Sequence, residues 1–108
     1  MQNPTDQQIL EATFLDQMAE IENLTDASVV DWLDHALDIE VYLRCRDQET
    51  RFSHVEVLVA FGGPSVRVRW DGGMFVTLDV TTMSGHASAQ VACPALVAAL
   101  EQYADLHV

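Results

Sequence analysis

Lysine is absent from this chain. Its only cations are five Arg, set against 17 Asp and Glu, for a formal net charge of −12. Phosphate contacts need patches of Lys or Arg, so direct binding of nucleic acid is not expected. The same shortage argues against anionic membrane surfaces. Cysteine is scarce: Cys45 and Cys93 lie far apart, too few for a disulfide framework and too widely spaced for a zinc knuckle. They read as reduced, buried thiols. Long apolar runs are missing too. Residues 55–61 fall well short of the ~20 residues of a membrane span, and residues 87–100 are interrupted by Gln90 and Pro94. Met1-Gln2-Asn3-Pro4-Thr5-Asp6 has neither a basic n-region nor an apolar h-region, so no signal peptide is expected and the protein reads as cytoplasmic.

What is present suffices for one folded unit. The chain has 108 residues, 49% of them hydrophobic, enough for a single domain over 1–108 with one core. Thr5 and Gln8 form a capping box. Leu10, Phe14, Met18 and Ile21 then recur at helical period, with Asp6, Asp16 and Glu20 opposite; this predicts a first helix over about 5–22. Thr25 or Asp26 caps a second helix, whose apolar face is Val29, Val30, Leu33, Ala36 and Leu37 with Trp32 beside it.

From Ile39 the period changes to two. Ile39, Val41, Leu43 and Cys45 mark a first strand, Val55, Val57, Val59 and Phe61 a second, Val66, Val68 and Trp70 a third. Met74, Val76, Leu78 and Val80 mark a fourth over 74–81. Gly62-Gly63-Pro64 and Asp71-Gly72-Gly73 are the turns between them. Residues 82–92 are small and polar and read as a loop or a short edge strand. Pro94 suits the first turn of a last helix striped by Leu96, Val97, Leu100 and Tyr103. The expected fold is α+β: two N-terminal helices, a four-stranded antiparallel meander, and a C-terminal helix packed on one face.

The charge is unevenly placed. Residues 1–43 hold ten acids and no Arg, while all five Arg fall between Arg44 and Arg69. On the second helix Asp31, Asp34 and Asp38 stand at i, i+3 and i+7, within ~60° of one another and rising about 4.5 and 6 Å. That spacing is close to successive phosphates. No Lys or Arg is interspersed, as a merely solvated face would have. A one-signed face of this kind steers a partner of opposite sign, so Asp31, Asp34 and Asp38, supported by Asp16 and Glu20, are the candidate partner-binding residues. Arg44, Arg67 and Arg69 should face solvent beside Glu40, Glu56 and Asp79.

Signals for chemistry are weaker. Asp31 and His35 at i, i+4, and His54 and Glu56 at i, i+2, each supply half of a metal or acid–base site. Ser84-Gly85-His86 with Cys93 suggests a Cys–His nucleophile pair, with Cys93 next to a helix start, but no third group orients them. Gly62-Gly63-Pro64 lacks the helix and Lys of a phosphate loop. No enzyme activity, cofactor or metal is expected.

Three features together resemble anti-CRISPR proteins and other small acidic proteins of phages and mobile elements. They are the length, the acidic helices ending in Asp31-Trp32-Leu33-Asp34-His35-Ala36-Leu37-Asp38, and the strand at 55–61 running into Gly62-Gly63-Pro64. The resemblance implies a non-enzymatic inhibitor in the cytoplasm of a host bacterial cell. It implies binding to a basic, nucleic-acid-binding surface of a host defence complex, such as a CRISPR effector, by imitating nucleic acid. Two alternatives stay open: an immunity- or antitoxin-like protein that neutralises a basic toxin, and a small enzyme using Cys93 and His86. An exposed sheet edge would also allow a homodimer.

Overall fold

The Thr5 box forms as the spacing predicts: the Gln8 amide donates to Thr5 Oγ1 at 3.2 Å, and the Thr5 amide to Gln8 Oε1 at 2.9 Å. It opens helix α1, Asp6–Glu22. The computed structural model describes residues 5–107; the leader-peptide reading rests mainly on Met1 to Pro4, outside that range. Next come α2 (Val29–Asp34), β1 (Asp38–Arg46), β2 (Glu49–Ala60), β3 (Ser65–Trp70), β4 (Phe75–Thr81), β5 (His86–Ala92) and α3 (Pro94–His107). The five strands form one antiparallel meander in the order β1-β2-β3-β4-β5.

One face of the sheet carries the helices. Alternation in the strands turns Val55, Val57, Val66, Val68, Trp70, Val76, Leu78, Val80 and Val91 toward them, all buried. From the helix side come Leu10 and Ile21 of α1, Trp32 of α2, and Leu96, Leu100 and Ala104 of α3. Helix α1 lies over β4 and β5, α3 over β2 and β4, and α2 packs on α3. The start of α1 is tethered to the β4–β5 connection, where Asp6 accepts from the Thr82 and Ser84 hydroxyls, each at 2.5 Å.

The structure corrects the sequence reading at four places. Residues 86–92 are a fifth strand, paired along the whole of β4 from Phe75↔Ala92 to Thr81↔His86; its inward residues are mostly Ala, which carry little hydrophobic signal. Helix α2 starts later and ends sooner than the periodicity suggested. Thr25 and Ser28 hydrogen-bond to each other's backbone in a turn before it. After Asp34 the chain leaves the helix, and the Leu37 amide donates to Leu58 O at 2.8 Å, entering the sheet. Asp38 is therefore the first residue of β1, not a helical residue. Within α2 the buried residues are Val29 and Trp32, while Val30 and Leu37 are exposed. Finally, Phe61 (72% exposed) and Met74 (81%) end in solvent where inward positions were expected.

Strands β1 and β2 are longer than the rest of the sheet. Strand β3 pairs with β2 only from Val55 onward, so residues 43–52 form a two-stranded arm. It closes in a two-residue turn in which Asp47 and Gln48 both have positive φ, 53° and 67°, the geometry favoured for tight hairpins. A bulge near Tyr42 and Leu43 leaves Ser53 unpaired and returns Phe52 to the helix-bearing face, against Trp70 at 5.4 Å between ring centroids. The arm makes the molecule long, 57 × 34 × 21 Å.

Candidate partner-binding site

Two polar surfaces result, and they differ in charge. On the helical side, the end of α1 and α2 enclose a groove of about 520 Å³ lined by Ala19, Glu20, Leu24, Asp31, Trp32 and His35, among others. Its position follows from the packing: Ile21 and Trp32 anchor the two helices on the core and leave Glu20 and Asp31 at the rim. Trp32 is 9% exposed and Leu24 half-buried, so the floor is apolar. Asp16 lies one turn before Glu20 on α1, and Asp34 closes α2; both are exposed. His35 caps α2. Its Nδ1 is 2.8 Å from the Asp31 carbonyl and 3.6 Å from Asp31 Oδ1. The bond to that carbonyl, helped by the charges of Asp31 and Asp34, raises the His35 pKa.

Glu20 and Asp31 thus converge, with Asp16 and Asp34 flanking them. Asp38 does not join them. It stands on the open face of the sheet with Glu40 and Tyr42, around a small hollow that Glu56 and Arg67 also line. The Tyr42 hydroxyl donates to Glu40 Oε2 at 2.5 Å, and the Tyr42 ring stacks on His54 at 4.3 Å. Hydrogen bonds from Tyr42 and Asp38 hold Glu40 below the usual carboxylate range, while the bond to Glu40 pushes Asp38 up.

The open face carries the Arg residues where the alternation put them. Arg67 Nε is 3.3 Å from Glu56 Oε1. Arg67 and Arg69 lie opposite Asp79 and Thr77 on β4. With Glu56, Ser65 and Thr81 they line a shallow hollow of about 170 Å³. This face is near balance in charge, unlike the helical side.

The candidate chemistries are not brought together. Cys93 is 1% exposed, and its thiol lies 3.9 Å from the Leu24 carbonyl. His86 begins β5, faces solvent and pairs with Asp79 Oδ1 at 3.0 Å. The length of β5 lies between them, roughly 20 Å of extended chain. His54 Nε2 and Glu56 Oε2 are 4.0 Å apart. Among the described residues no group of three or more His, Cys, Asp or Glu is placed to hold a metal ion, and no helix is long and apolar enough to cross a membrane. Comparison of the chain with protein-family models, with curated proteins and with solved structures finds no match to any of them.

Proposed function

We propose that this protein is a non-enzymatic inhibitor whose acidic helical side occupies a basic, nucleic-acid-binding surface of a host defence protein. The observation that carries the reading is the groove between α1 and α2. Glu20 and Asp31 stand at its rim and Trp32 and Leu24 at its floor, in a stretch of 43 residues without a single Arg or Lys. A Lys or Arg of the partner fits such a groove in two ways at once. Its aliphatic stem packs on the indole, and its charged head meets the carboxylates. The acids take the places that phosphates would hold, so the occupied partner releases nucleic acid. Asp16 and Asp34 extend the field that steers the encounter.

The test is capture of partners from a bacterial lysate at low and high salt, followed by nucleic-acid binding measured on the captured protein. The reading requires a basic partner that is held at low salt, shed at high salt, and unable to hold nucleic acid while bound. The double variant Glu20→Gln, Asp31→Asn should weaken capture at least about tenfold with an unchanged circular dichroism spectrum. A partner that binds the native chain and the double variant equally, or that keeps its nucleic acid in the complex, overturns the proposal. A captured basic toxin without a nucleic-acid site would instead select the immunity-protein alternative.

A further inference from the structure

Among the described residues strand β1 is an edge: it pairs with β2 on one side only, so its other side presents a row of backbone N–H and C=O groups that no described strand pairs. Its sequence, Asp38-Ile39-Glu40-Val41-Tyr42-Leu43-Arg44-Cys45-Arg46, has an unusual symmetry. The residues on the open face read acid, acid, Tyr, Arg, Arg, and those on the other face are all apolar or Cys. Reversing the strand about Tyr42 exchanges acids for Arg and leaves the apolar set apolar. Charges placed only to guard an edge need no such order.

We propose that β1 is a self-complementary docking edge that pairs antiparallel with β1 of a second copy of this chain, about a two-fold axis at Tyr42, to form a continuous ten-stranded sheet. In that register Asp38 faces Arg46 of the other copy, Glu40 faces Arg44, and Tyr42 faces itself. Ile39 faces Cys45 and Val41 faces Leu43 on the helix-bearing side. Other registers lose this match. A shift of one residue sets charged positions against apolar ones. A shift of two residues in either direction leaves only one of the two acids opposite an Arg. A parallel, in-register pair would set like charge on like.

Two further observations favour a second copy as the occupant. Within one chain, β1 sets Glu40 opposite Glu56 and Arg44 opposite Arg51 across the hairpin, two like-charge pairs that weaken it. Glu56 and Arg51 already pair within the chain, with Arg67 and Glu49; the dimer supplies Glu40 and Arg44 with counter-charges from the other copy. The arm is also uncovered: Leu43 is 46% exposed and Cys45 exposed, though both lie on the face that is core elsewhere in the sheet. Pairing lays the arm beside the half-buried Ile39 and Val41 of the other copy and turns a two-stranded ribbon into part of a wide sheet.

The proposed interface shares no residue with the α1–α2 groove, so its fate is independent of the inhibitor reading. The test is sedimentation of the full chain across the micromolar range, with charge reversals. The native chain should associate to a dimer. Arg44→Glu and Glu40→Arg should each weaken association at least about tenfold, since two symmetric contacts are lost. Within one chain each reversal creates an opposite-charge pair, with Arg51 or Glu56, so neither should lower the thermal midpoint of the monomer. The double variant Glu40→Arg, Arg44→Glu should recover most of the lost affinity. Register is read by crosslinking in a Cys45→Ser background: Tyr42→Cys should give a disulfide-linked dimer, and Arg44→Cys should not, because its copies stand four residues apart, about 13 Å. A chain that stays monomeric throughout, a dimer indifferent to the reversals, or crosslinking at 44 in place of 42 would each overturn the proposal.

Discussion

The sheet has two halves built from the same alternation and used in opposite ways. In β2 to β4 beneath the helices, Val55, Val57, Val66, Val68, Trp70, Val76, Leu78 and Val80 alternate with polar or half-buried positions and are almost wholly buried. In the arm, Leu43 and Cys45 continue the pattern of Ile39 and Val41, yet no helix lies over them and they stay exposed. Hydrophobic alternation therefore specifies a face, and the covering layer decides whether that face is a core. The two outer strands differ in the same way. β5 is covered by α1, and its inward residues are small enough for the helix to lie close. Among the described residues β1 has only β2 beside it.

The largest expected difference between the halves is in stability. Leu78→Ala or Leu100→Ala, both fully buried, should cost about 2–5 kcal/mol through lost burial and a residual cavity, seen as a lower midpoint in urea. Leu43→Ala should cost within about 0.5 kcal/mol when measured dilute enough to keep the chain monomeric. A large loss at Leu43 under those conditions would mean that the arm folds back on the body.

A smaller effect tests how closely α1 lies on the β5 end. A Cβ added at Gly85 would stand 2.7 Å from Leu10 Cδ2. That atom is the tip of a side chain and can shift, so Gly85→Ala should cost about 1 kcal/mol, the low end of overpacking. Pairing it with Leu10→Ala should remove the clash, so the double variant should cost less than the sum of the two single variants. Strict additivity would place α1 farther from the sheet than the structure does.

The acid limb probes the same end more gently. Hydrogen bonds from Ser84 and Thr82 hold Asp6 below the ordinary carboxylate range. A depressed folded pKa contributes stability above the unfolded value, about 3.9, and that stability is lost as pH falls through the lower folded value. Asp6→Asn should therefore weaken the native chain near neutrality and flatten its acid-unfolding profile, with earlier amide exchange in the first turns of α1.

These contrasts also show which parts were legible in the sequence. The capping box, the three Val-rich strands, and Pro94 at the head of α3 were readable because each rests on a local spacing. Strand β5 was harder, since Ala87 and Ala89 alternate with Ser88 and Gln90 too faintly to distinguish a strand from a loop. The sequence pattern carries the helix to Asp38 because Ala36 and Leu37 continue its apolar stripe. What ends α2 is a non-local bond, Leu37 to Leu58, together with three like charges that would otherwise crowd one helix face. The convergence of Glu20 and Asp31 depends on how α1 and α2 cross, which no spacing encodes. The antisymmetry of β1 was in the sequence throughout, but it acquires meaning only once β1 is known to be an edge.

The finest contrast lies between the helical side and the open face, and His35 makes it sensitive to pH. Its pKa is raised, so as a matter of stability protonation is favourable: the contribution is fully present below the unfolded value of about 6.5 and is lost as pH rises through the folded value. For binding a basic partner the sign is reversed. A protonated His35 puts a positive charge beside Asp31 at the groove rim, so affinity should fall as pH drops through the raised value and recover above it. His35→Gln keeps a hydrogen-bonding side chain without the charge, and should hold affinity flat across that window while leaving the salt dependence intact. Both are read by titrating a captured partner at several pH values and one ionic strength. A pH dependence that persists in His35→Gln would take His35, and the groove rim it shares with Asp31, out of the contact.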